Sequence, residues 1–152
     1  MSFQSLRDYI ARVDQMGELQ RVAGAHWDLE IGALTELMAK SKTLLFDEIP
    51  GYPKGYRVLS NVLSTYTQMK EILGIPQHAK GKIELARAFK DRLKDYRPVP
   101  PVEVDSGPVL ENVQQGGEVD VLKFPTPRWH ELDGGRFIGT GHGVVTMDPD
   151  SL

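Results

Sequence analysis

The glycine-rich run Gly139-Thr-Gly-His-Gly143 is the first candidate for chemistry, because residues without a side chain let the main chain come close to a phosphate or a flat ring. It has neither the G-x-G-x-x-G spacing nor the G-K-[ST] ending of nucleotide-binding loops, and it falls in or beside an expected strand instead of opening a helix. With no helix N-terminus behind it, the electrostatic reason for phosphate binding is missing. Bulges, or the close approach of another backbone or a ligand, suit these glycines better. His26, His78, His130 and His142 show no ligand-like spacing and no H-E-x-x-H arrangement, so no metal site is expected from this chain by itself. His130, within Arg128-Trp129-His130-Glu131, is expected to make a structural hydrogen bond. The carboxylate pairs Asp47/Glu48 and Asp148/Asp150 fit backbone capping in turns better than paired acid–base work. No Ser/His/Asp set can be assigned, so the residues alone contain no complete active site and no catalytic residue.

Composition excludes several classes. The 152 residues contain no cysteine, which removes a disulfide framework, a thiolate nucleophile and every Cys-based zinc site. The net charge of −3 argues against nucleic acid as the main partner. The charge is uneven: residues 1–100 carry 15 basic and 12 acidic side chains, and residues 101–152 carry 3 and 9. No uncharged run reaches the roughly 18 residues that a membrane span needs. With Arg7, Asp8, Arg12 and Asp14 near the N-terminus no signal peptide is expected there, and a cytoplasmic location is expected.

The elements that must position any site follow from periodicity. Phe3, Leu6, Ile10 and Val13 predict a helix over 3–16, capped by Ser2 and ended by Gly17, with a strand over 18–22 after it. Asp28 opens a second helix with Ile31, Leu34 and Met38 on its apolar face and a Glu36–Lys40 pair on its wet side. Thr43 to Ile49 reads as a buried strand, and Tyr56 to Leu63 as another. Thr67 to Leu73 predicts a short helix closed by Gly74 and Pro76. Lys82 to Asp95 predicts a longer one with Ile83, Ala86, Phe89 and Leu93 on one face. The span from Lys80 to Arg97 holds seven basic and three acidic residues, which reads as a solvated face, with an anion-binding surface as the weaker alternative.

Pro98-Val-Pro-Pro101 then marks a boundary. Strands are expected at 109–113 and 119–122, around a Gly116-Gly117 turn. The tail reads as a proline-stiffened entry at Phe124, a tight Asp133-Gly134-Gly135 turn, a strand over Arg136 to Met147, and a second turn at 148–151. A strand of that length without a return partner leaves backbone groups unpaired, so the chain is expected to be the front portion of a larger protein. The division expected is a small α/β domain over 1–97, then a linker and the start of a second, β-rich unit over 98–152.

Three blocks together resemble the UbiD family of decarboxylases. The first is Ser5-Leu-Arg-Asp-Tyr-Ile10 leading to Gly17-Glu-Leu-Gln-Arg-Val22. The second is Leu44-Leu45-Phe46 through Ile49, Gly51-Tyr52-Pro53 and Val58-Leu-Ser-Asn61. The third and most specific runs from Gly117-Glu-Val-Asp-Val-Leu122 through Phe124-Pro125 and Pro127-Arg128-Trp129-His130 to Asp133-Gly134-Gly135-Arg136. The blocks keep the family's order and span nearly all of the chain.

The resemblance implies an α/β N-terminal domain followed by the first strands of a flavin-reductase-like split β-barrel, truncated here. It implies reversible, non-oxidative decarboxylation of a small aromatic or α,β-unsaturated carboxylic acid, using prenylated FMN with Mn²⁺ (or another divalent ion) and K⁺. It also implies a homo-oligomer when full length. None of the family's catalytic, metal-holding or phosphate-holding residues matches a position in this sequence; their motif is expected past Leu152. Thr140 and His142 are the positions carried over as lining the cofactor pocket. The chain alone is expected to bind no cofactor and to be inactive. The alternative is a non-catalytic binding or assembly module completed by a partner chain.

Overall fold

The structure, a computed structural model, describes residues 5–139 together with Gly143 and Asp148. Its centre is β2 (Thr43–Asp47), whose first four residues are all buried. Alternate side chains of a strand point to opposite faces, and β2 uses both. Leu44 and Phe46 join Ala25, Ile31 and Ile49 on one face, and Leu45 joins Tyr9, Val13 and Leu19 on the other. A continuous apolar strand is what two covered faces require.

β1 (Leu19–Ala23) runs parallel to β2 with Leu19 opposite Thr43, and β3 (Val58–Ser60) runs antiparallel to it with Leu45 opposite Leu59. The sheet order is β1-β2-β3. The parallel pair needs a crossover, and α2 (Glu30–Leu37) provides it. α2 covers the Phe46 face. α1 (Leu6–Gln15) and α3 (Tyr66–Leu73) cover the other, through Tyr9, Val13 and Ile72. α4 (Gly81–Leu93) leans on α3 and has no buried residue.

Local chemistry fixes the ends of these elements. Ser5 caps α1 by accepting from the Asp8 N–H at 3.2 Å; Ser2, expected to do so, lies outside the described residues. Thr65 caps α3 in the same way, and Gly74, with φ of 61°, ends it as expected. Asn61 and Leu63 both take positive φ and end β3 well short of the expected strand. The Glu36–Lys40 pair does not form, because α2 stops at Leu37 and Lys40 itself turns left-handed. On α4, Leu85, Ala88 and Phe89 are half-buried while Ile83 is 68% exposed, so the packed stripe is rotated from the one expected.

The strands expected at 109–113 and 119–122 are absent. Single 3₁₀ turns take their place at Pro108–Leu110, Gly116–Glu118 and Val121–Lys123. Pro108 has no N–H for a ladder, Gly116 has φ of 55°, and the Asp120 carboxylate accepts from the Leu122 N–H, all of which favour turns. The tight turn also moves. It closes between His130 and Asp133, where the Asp133 N–H reaches the His130 carbonyl at 3.2 Å, and Gly134 and Gly135 follow without positive φ. Arg136 to Gly139 is not a strand. Of the remainder of the expected strand, only Gly143 is described. No helix among the described residues is long and apolar enough to cross a membrane.

Candidate functional site

Residues 124–139 return to the sheet after a long exposed stretch and form the wall of a groove. Pro125, Thr126 and Pro127 are buried; two prolines spare two backbone donors that burial would otherwise strand. Arg128 then pairs with the loop before α2 by main chain and side chain together. Its N–H donates to the Trp27 carbonyl and its carbonyl accepts from the Leu29 N–H, both at 3.0 Å, as a parallel bridge to Asp28. Its guanidinium Nε donates to Asp28 Oδ1 at 2.6 Å. That charge-assisted hydrogen bond holds the Asp28 carboxyl below the usual carboxylate range and raises the Arg128 guanidinium above its ordinary value.

Trp129 packs on the Phe46 cluster, and its indole Nε1 donates to the Phe137 carbonyl at 3.2 Å. Arg136 makes the second anchor. Its Nε donates to the Thr126 carbonyl at 2.6 Å, and its Nη2 donates to the Tyr52 hydroxyl and to the Phe124 carbonyl. Its Cζ lies 4.1 Å from the centre of the Trp27 ring, within cation–π range.

The groove beneath this wall has a volume of ≈ 980 Å³. Its opposite side comes from α2 and β3, with Thr35, Ser60 and Asn61 as the polar floor. Those three are tied to one another: Thr35 Oγ1 and Ser60 Oγ are 2.8 Å apart, and Asn61 Nδ2 donates to the Thr35 carbonyl at 2.9 Å. Arg57 and His130 supply the ionisable rim beside Glu36, with His130 Nε2 4.0 Å from the Glu36 carboxylate. Gly139, which precedes Thr140, also lines the groove.

The residues singled out from sequence are spread widely. Thr140 and His142 lie outside the described residues. His130 makes its structural hydrogen bond through its backbone, the N–H donating to Asp133 Oδ2 at 2.9 Å. His26 serves the loop before α2: its Nδ1 accepts from the Asp28 N–H at 3.0 Å, which assigns the ring proton to Nε2 in the neutral form. Asp47 caps the following Glu48 N–H at 2.8 Å, the turn role expected of that pair. Among the described residues, no group of three or more His, Asp or Glu is placed to hold a metal ion.

Sequence reasoning missed the partners of the wall: Asp28, Gly32, Tyr52 and Trp27. Arg128 and Asp28 are 100 positions apart, which no periodicity links. Gly32, a glycine inside a helical pattern, was the available signal, because such a glycine marks a close approach.

The N-terminal domain family of 3-octaprenyl-4-hydroxybenzoate carboxy-lyase matches residues 10–88, and the Rift-related domain family of the same carboxy-lyase matches residues 101–152. A pyrrole-2-carboxylic acid decarboxylase of Pseudomonas aeruginosa is 29% identical, covering 99% of this chain and 31% of its own. An uncharacterized protein of Archaeoglobus fulgidus is 30% identical, covering 99% of this chain and 33% of its own. The chain thus spans about a third of the length of the curated relatives it matches. Two structures of vanillic acid decarboxylase from Sedimentibacter hydroxybenzoicus in the open form superpose with TM-scores of 0.71 and 0.70 at 27% identity, each covering 90% of this chain and 30% of the other. With one domain family matching over half of the sequence and its companion following in order, the chain belongs to the UbiD family of carboxy-lyases.

Proposed function

We propose that this chain is the N-terminal part of a reversible, non-oxidative decarboxylase of an aromatic or α,β-unsaturated carboxylic acid. The observation that carries the reading is the consecutive match to the two carboxy-lyase domains. The likeness to decarboxylases of pyrrole-2-carboxylic and vanillic acids supports an aromatic substrate. On this reading residues 1–97 form the N-terminal α/β domain, and 98–152 form a linker and the start of the central split β-barrel. The whole protein would work in the cytoplasm as a homo-oligomer.

Loss of CO₂ from an sp² carbon leaves an electron pair that needs a sink, which is the chemistry prenylated FMN would supply, with Mn²⁺ (or another divalent ion) and K⁺ beside it. The described residues do not by themselves fit that group. They hold no metal-ligating cluster, and in the groove the Thr35 and Ser60 hydroxyls face each other while Asn61 Nδ2 is committed to the Thr35 carbonyl. Thr140 and His142 remain this chain's candidates for lining the cofactor pocket, and the chemical residues belong to further polypeptide. The 152-residue chain alone is therefore inactive and binds no flavin.

The test supplies prenylated FMN, Mn²⁺ and K⁺ to the purified chain and to a version joined to the downstream two thirds of a relative. The expected result is flavin absorbance and CO₂ release with the joined protein only. Flavin absorbance retained by the 152-residue chain after gel filtration contradicts the reading.

A further inference from the structure

We propose that Arg128 and Arg136 are positioning residues, a two-point clasp that sets the wall of the groove without touching what the groove contains. Every residue from 94 to 124 is exposed except half-buried Gly107. Nothing upstream therefore dictates where residues 125–139 lie, and their own contacts must do so. Besides the packing of Trp129 on the Phe46 cluster, the polar contacts that tie this segment to the N-terminal domain centre on two arginines, Arg128 and Arg136.

Arg128 fixes one point through the Asp28 carboxylate and the paired backbone of Trp27 and Leu29. Arg136 fixes the other through the Trp27 ring, the Tyr52 hydroxyl and the carbonyls of Phe124 and Thr126. The chemistry calls for arginine: a planar cation that stacks on a ring while forked N–H groups reach acceptors in its plane. A lysine offers a point charge and cannot do both.

Neither arginine lines the groove, but Pro127, Trp129 and His130, which they hold in place, all do. The two sides of the clasp also come from different units. Trp27, Asp28 and Tyr52 lie within the N-terminal domain match, and Arg128 and Arg136 lie within the Rift-related match. The clasp thus sets how the second unit starts on the first. It rests on these contacts and not on the decarboxylase reading.

The test is amide hydrogen exchange on the 152-residue chain and its Arg136→Gln, Arg136→Lys and Asp28→Asn variants. The Leu29, Arg128 and Phe137 amides donate within or across the clasp, to Arg128, Trp27 and Pro127 carbonyls. Arg136→Gln should speed their exchange about tenfold or more while the β1–β2 ladder amides change less than about twofold, because a local opening leaves the global one unaffected. Arg136→Lys should recover only part of the protection. Asp28→Asn should loosen Leu29 and Arg128 more than Phe137, and it carries the comparison should Arg136→Gln fail to fold. Equal acceleration of clasp and ladder amides, or unchanged clasp amides, overturns the proposal.

Discussion

The carbonyl oxygen of Trp129 occupies the space a side chain at position 32 would need: a Cβ built on Gly32 lies 1.9 Å from it. Glycine is therefore required at this point of α2 by the groove wall (residues 124–139), not by the helix, whose propensity would favour alanine by roughly 1 kcal/mol. Gly32→Ala should reverse that preference. The obstacle is backbone, so it cannot be relieved by a rotamer change, and overpacking of this kind costs about 1–3 kcal/mol. A lower urea midpoint with an unchanged slope is expected. A rise in the midpoint would show that the wall does not sit on α2 as described.

The Asp28–Arg128 pair gives the clasp a pH dependence with a definite sign. Asp28 has its folded-state pKa lowered, first by the hydrogen bond from Arg128 and also by the charges of Arg128, His26 and Arg136. A depressed carboxylate contributes stability above its unfolded pKa of about 4 and loses it as the pH falls through the lower, folded value. Wild-type stability should therefore fall more steeply than that of Asp28→Asn as the pH is lowered from about 5 to 2. Paired thermal melts across that range make the comparison, and parallel curves would remove Asp28 from the account.

Much of the layout is legible in the amino-acid order because local chemistry decides it. The Ile31–Leu34–Met38 face, the unbroken β2 run and the Gly74 stop each follow from residues within a few positions of one another. Two kinds of feature escape. The exposed valines of 109–122 have strand-like composition, but their pattern lacks a partner among the described residues, and turn chemistry at Pro108, Gly116 and Asp120 takes over. The groove wall escapes for the opposite reason. Its residues stand out as the most specific stretch of the sequence, yet their roles are set by Asp28, Gly32 and Tyr52, far upstream. Family resemblance found the segment, and only the three-dimensional contacts explain why it is built as it is.

The α1 face of the sheet makes a separate prediction, since Tyr9 was not among the apolar positions expected of that helix. Its ring is buried and its hydroxyl sits in a shared network. It lies 3.0 Å from Thr43 Oγ1, donates to Gln68 Oε1 at 3.3 Å and accepts from the Leu63 N–H at 3.2 Å. Gln68 is fully buried, and its Oε1 also accepts from the Ser64 N–H at 3.1 Å. Tyr9→Phe keeps the ring and removes the hydroxyl, leaving the Leu63 N–H without that acceptor. Losing one partner of a buried hydrogen bond costs about 1–3 kcal/mol, more than the bond's net worth, because the remaining group stays desolvated. The expected result is a destabilisation of that size, read from urea unfolding, with faster exchange at the Leu63 amide. Gln68→Leu discards the whole polar cluster's acceptor and its buried Nε2, which has no hydrogen-bond partner among the described residues. In the Tyr9→Phe background it should therefore cost less than it does in wild type, since fewer donors there still need that oxygen. Strict additivity of the two changes would mean that the groups do not act as one network.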